Sequence, residues 1–81
     1  MNATFQISYF GMLAERRGLS AETLSHPATD VSGLFDELNN AHQLGFASSD
    51  LRAAVNDEFV SWDQPLKDGD RIAFLPPMSG G

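Results

Sequence analysis

The tightest constraint on this chain lies near its end. In Arg71-Ile72-Ala73-Phe74-Leu75, Ile72 and Phe74 alternate with Ala73 and Leu75, so a strand here is apolar on both faces. A strand of that kind belongs in the middle of a sheet. Pro76 and Pro77 follow at once and end it, because neither has an N–H to give to a ladder. The fold must therefore place one of its last segments at its centre.

The segments that flank it are readable from their periodicity. Phe5, Ile7 and Tyr9 alternate with polar residues, the period-two pattern of a half-buried strand. Gly11 breaks that strand, and Met12 to Arg17 reads as a short helical turn stopped by Gly18. A weaker strand is predicted over Glu22 to Ser25. After Pro27, Thr29 or Asp30 can cap a helix by accepting a bond from a free first-turn N–H. Val31, Leu34, Phe35 and Leu38 then share one helical face, and Gly45 is the predicted stop. Asp36, Glu37, Asn39 and Asn40 lie largely outside that stripe. Arg52 to Val55 and Phe59 to Trp62 read as a hairpin turning at Asn56-Asp57. Pro65 and Asp68-Gly69-Asp70 form further turns around Leu66. The order is strand, strand, helix, then three strands. It predicts an α+β fold, a sheet with one main helix packed across it.

The chain has 81 residues and no cysteine, which fits one small domain that stands without disulfides. Cysteine-ligated zinc, iron–sulfur clusters and a thiol nucleophile are excluded with it. Five cationic side chains (Arg16, Arg17, Arg52, Lys67 and Arg71) stand among eleven carboxylates, for a net charge of −6. That balance argues against nucleic acid and anionic lipid and favours a basic protein partner. No stretch approaches the ~20 apolar residues of a membrane span, and the first residues lack a signal-peptide pattern. A cytoplasmic domain with no nucleic-acid and no membrane partner is the expectation.

The end of the chain is the candidate site. From Ile72 to Gly81 no side chain is charged, and Met78-Ser79-Gly80-Gly81 follows the two prolines. Prolines favour extended geometry, so the tail is expected to stand off the sheet. The stretch from Pro76 to Gly81 reaches ~20 Å at full extension. Two glycines without Cβ atoms suit passage through a narrow tunnel. A terminal carboxylate is a poor acyl donor until ATP converts it to an acyl-adenylate. Sulfur or an amine then attacks the acyl carbon, and an unhindered Gly-Gly end permits either. Glycine-rich ends also arise by chance or as inert termini.

The other candidates have plainer roles. His26 and His42 have no nucleophile or carboxylate pair placed with them and read as surface residues. Asp68-Gly69-Asp70 lacks the twelve-residue loop and distal Glu of an EF-hand and reads as a turn. Phe59, Trp62 and Phe74 are possible partner anchors, with core packing expected for most of them.

Ala53-Ala54-Val55-Asn56, Val60-Ser61, Pro65-Leu66, Asp68-Gly69-Asp70, Ala73-Phe74-Leu75-Pro76-Pro77 and the closing Gly80-Gly81 together resemble one family. It is that of the small subunits of molybdopterin synthase, which are ubiquitin-like (β-grasp) sulfur carriers. The resemblance implies a β-grasp domain over 1–75 and an extended, flexible tail over 76–81. It implies that an E1-like partner uses ATP to adenylate Gly81, which then becomes a thiocarboxylate. The carrier would insert its tail into the synthase large subunit, in a heterotetramer, and give sulfur to a cyclic pyranopterin monophosphate. Gly81 would carry the sulfur, Gly80 would give passage, and Pro76 and Pro77 would set the exit direction. Ser79 and Met78 would line the passage, Met78 standing where family members usually have a small β-branched residue. No cofactor is expected on the chain itself, and the catalytic pocket is expected on the large subunit. The alternatives are a carrier for thiamine, cysteine or tRNA thiolation, a protein modifier that joins Gly81 to lysine, and a binding module with an inert tail.

Overall fold

The computed structural model describes residues 2–76. In chain order the elements are β1 (Ala3–Tyr9), α1 (Met12–Arg17), β2 (Ala21–His26), α2 (Val31–His42), a 3-10 turn (Ser48–Asp50), β3 (Arg52–Val55), β4 (Glu58–Val60) and β5 (Arg71–Leu75). The strands form one sheet in the order β2-β1-β5-β3-β4. β5 lies at its centre, as its two-faced apolar pattern predicts. It runs parallel to β1 and antiparallel to β3, and the two outer pairings are antiparallel. The sheet is therefore mixed, and α2 crosses one face of it.

Alternation along each strand decides which face α2 covers. Phe5, Ile7 and Tyr9 of β1, Ala53 and Val55 of β3, and Ile72 and Phe74 of β5 all point to the helix side and are buried. From α2, Val31, Leu34, Phe35 and Leu38 meet them. Phe74 sits among three rings: Phe35 at 5.1 Å, Trp62 stacked at 6.1 Å and Tyr9 at 6.3 Å between centroids. Pairs at these spacings add stabilisation beyond the area they bury.

The helix is capped by Asp30, whose Oδ1 accepts from Gly33 N at 2.7 Å. Its first N–H groups are satisfied from a distant segment. Val31 N donates to Gln64 O at 3.1 Å and Ser32 N to Trp62 O at 2.8 Å. This arrangement corrects the predicted last hairpin strand. The strand stops at Val60, because the chain turns at Trp62 to offer its carbonyls to the start of α2. Helix termination differs too. α2 ends at His42, with Gln43 in the left-handed region at φ 50° and its N–H on Asn39 O, two residues before the predicted stop at Gly45. Asn39 then fixes the next loop, donating to Phe46 O and accepting from Gly45 N. Arg16 donates to Leu44 O from the other side. β2 is one residue longer at each end than predicted.

One polar cluster ties β1 to β2. Tyr9 Oη donates to Glu22 Oε2 at 2.6 Å, and Arg17 grips both oxygens of the same carboxylate at 2.8 and 3.0 Å. The Arg17 hydrogen bonds hold the Glu22 carboxyl below its ordinary range. Burial, reinforced by the Glu22 hydrogen bond, raises the Tyr9 hydroxyl so that it remains a donor.

Candidate functional site

The chain leaves the sheet at its central strand, β5, which Pro76 follows. Phe10 N donates to Phe74 O at 3.3 Å, carrying the parallel pairing one step past β1. On the other side Leu75 is paired with Arg52. Pro76 therefore leaves between the end of β1 and the start of β3. Gly11 lies against it. Its backbone has φ 58° and ψ −132°, a region closed to side-chain-bearing residues, and a Cβ there would come within 3.0 Å of Pro76 Cγ. The glycine leaves room for the proline ring at the tail's root. Of the predicted tail residues, Pro76 is where the sequence places it. Pro77, Met78, Ser79, Gly80 and Gly81 lie outside the described residues.

The sheet face opposite α2 has no element across it among the described residues. Cross-strand register sets its composition. Ser8, Ala73, Ala54 and Phe59 form one row across β1, β5, β3 and β4. Leu75 and Arg52 form the next row, with Phe10 following β1 at its end. The floor of the first row is small, and a shallow depression of about 210 Å³ lies over it, bounded by Phe10 and by Asp57 and Arg71. Phe10 is 48% exposed, Met12 51% and Phe59 64%, so among the described residues three large apolar side chains meet solvent. Phe10 and Phe59 flank this face, and Met12 follows Gly11 in the chain. Exposed apolar side chains grouped around a groove are the mark of an interaction surface.

Of the three aromatic candidates, Phe74 is fully buried and Trp62 packs against the core, whereas Phe59 is open. Phe10, Met12 and Arg52 were not singled out from sequence, although Phe10 breaks the parity of Phe5, Ile7 and Tyr9 and so had to face outward. His26 serves a turn, its Nδ1 accepting from Ala28 N at 3.0 Å. His42 closes α2. Asp68 accepts from Thr4 N, and Asp70 from Lys67 N and Asn56 Nδ2, which is the predicted turn role. Among the described residues no cluster of three His, Cys, Asp or Glu side chains has metal-holding geometry. None of their helices is long and apolar enough to cross a membrane.

Comparison with known proteins places this geometry. The model of the ThiS family matches residues 7–81. This chain belongs to the ThiS family. Within the wider set of relatives, it is 40% identical over 70 residues to the molybdopterin synthase sulfur carrier subunit of Escherichia coli K12, covering 74% of this chain and 86% of that protein. The human protein of the same name is 33% identical over 81 residues, covering 94% and 92%. In solved structures, the chain is similar to one in the complex of subunits 1 and 2 of molybdopterin-converting factor from Helicobacter pylori (30% identity, TM-score 0.66, 96% and 99% covered). A ubiquitin from Caldiarchaeum subterraneum shares the fold at 15% identity and TM-score 0.64, with both chains fully covered. The sheet-and-helix architecture is the ubiquitin-like β-grasp, and the ThiS-family match runs through the terminal Gly80-Gly81.

Proposed function

We propose that this chain is a sulfur carrier and the small subunit of a molybdopterin synthase. The observation that carries the reading is the 40% identity to the Escherichia coli sulfur carrier subunit, joined to a ThiS-family match that extends to Gly81. The tail root adds a physical reason. A carboxyl terminus that leaves from the middle of a sheet, past a glycine and a proline, can enter a partner while the domain stays folded outside.

The chemistry follows from the terminus. An E1-like partner lets the Gly81 carboxylate attack the α-phosphorus of ATP, releasing pyrophosphate and leaving an acyl-adenylate. A persulfide sulfur attacks the acyl carbon and AMP departs. Reductive cleavage of the remaining S–S bond by a thiol leaves the thiocarboxylate. The large subunit then docks on the open face, takes in the tail and directs this sulfur to a cyclic pyranopterin monophosphate, regenerating the Gly81 carboxylate. The domain supplies no acid or base to these steps. Its part is to hold the tail root and present the docking face.

Reconstitution tests the reading. Thiocarboxylated protein mixed with a molybdopterin synthase large subunit and the pyranopterin precursor is expected to yield molybdopterin, with loss of sulfur from Gly81. A charged carrier that keeps its sulfur in that mixture, while the large subunit's native carrier is consumed, would overturn the pathway.

A further inference from the structure

We propose that the partner surface received at the tail root is apolar and presents a carboxylate to Arg52. The proposal rests on the carrier reading and specifies the chemistry of its docking face.

The argument starts from where the charge lies. The chain carries −6 overall, and from that number alone a basic partner is expected. The open face does not share that balance. The outward-facing positions of the five strands, fixed by register, hold two charged residues, Arg52 and Arg71, and both are cationic. Acidic residues such as Asp36 and Glu37 are exposed on α2, across the sheet. The surface that meets a partner is thus locally opposite in sign to the protein as a whole.

The two arginines are not equivalent. Arg71 already donates to Asp57 at 3.0 Å. Arg52 has no carboxylate partner among the described residues. Instead its guanidinium lies over the Phe59 ring, with Cζ 5.2 Å from the centroid. A cation over a ring face spends none of its N–H donors on it, and among the described residues the Arg52 guanidinium has no ion-pair partner. Phe59 therefore keeps the guanidinium over the open face, in the row that Arg52 shares with Leu75.

Docking changes what Arg52 experiences. A partner that covers Phe10, Leu75 and Phe59 also removes water from the guanidinium between them. A cation desolvated without an acceptor opposes binding, whereas a carboxylate in the plane of the fork takes two parallel hydrogen bonds. The geometry selects a partner bearing Asp or Glu at that point, within an otherwise apolar contact.

Calorimetric titration against the molybdopterin synthase large subunit from the same organism tests this. The variants are Arg52→Glu, Arg52→Lys and, on the far side, Asp36→Lys, each checked for an unchanged thermal transition. Arg52→Glu is expected to weaken binding by about 30-fold or more. Arg52→Lys is expected to fall between it and the wild type, because lysine lacks the planar fork. Asp36→Lys is expected to stay near wild type. Reversing the partner carboxylate to Arg restores affinity for Arg52→Glu. Wild-type affinity in folded Arg52→Glu would overturn the proposal and leave the carrier reading standing. A wild-type chain that fails to bind the large subunit would overturn both.

Discussion

Phe74→Leu and Phe59→Leu are the same chemical change at two ends of the burial scale, with opposite expected outcomes. Phe74 has no exposed surface and lies within 5.1 to 6.3 Å of three other aromatic rings. Each such pair contributes ~0.5–1.5 kcal/mol beyond area burial. Leucine fills part of the vacated volume, so the expected loss is about 2 kcal/mol. For a chain this size, stable by about 4–12 kcal/mol, that is a large fraction. It corresponds to a fall in Tm of roughly 8–16 °C. Phe59 is 64% exposed, and the same substitution there is expected to stay within about 0.5 kcal/mol. The assay is urea unfolding followed by fluorescence. The chain has one tryptophan, Trp62, stacked 6.1 Å from Phe74, so its emission reports directly on the cluster. A Phe74→Leu variant as stable as wild type, with unchanged Trp62 emission, would refute the ring cluster as the anchor of β5 and the tail root. A loss at Phe59 equal to that at Phe74 would refute the open face.

Three further outcomes follow from individual contacts. Because Arg17 holds Glu22 below the ordinary carboxylate range, the pair stabilises the fold above about pH 4 and this contribution is lost as pH falls through the depressed folded pKa. Tm is therefore expected to drop more steeply on acidification in wild type than in Glu22→Gln; parallel curves would contradict the linkage. Asp30→Ala removes the cap on α2 and is expected to cost about 1 kcal/mol in urea titration, whereas Thr29→Ala, at the other sequence candidate, is expected to cost less. One residue added after Gly81 is expected to leave the thermal transition unchanged and to abolish sulfur loading, and a large fall in Tm would contradict a fold that ends near Leu75.

The reading from sequence succeeded where periodicity is local and strong. β1, α2 and β5 each bury an uninterrupted apolar face, and the centre of the sheet followed from β5 alone. It faltered where a distant segment decides the outcome. Alternation continues through Val60, Ser61 and Trp62, but the start of α2 claims the Trp62 carbonyl and turns the chain away. α2 stops at His42 because Gln43 adopts a left-handed cap and Asn39 ties the loop beyond it. The tail stood out as the candidate site from its composition, with no charged side chain after Arg71. The make-up of the open face did not, since it depends on register. Arg52 and Phe59 are seven positions apart and meet only because Asn56-Asp57 makes a two-residue turn that pairs Ala54 with Phe59. That turn was readable in advance, so its consequence for Arg52 was within reach of the sequence.

The central claim concerns Gly81, and intact mass tests it most directly. Incubation with ATP, an E1-like activating enzyme and a sulfur donor is expected to exchange one oxygen for sulfur. Fragmentation is expected to place the change on Gly81, and deleting that residue to prevent it. An unchanged mass under conditions that fully charge the Escherichia coli carrier would contradict the account.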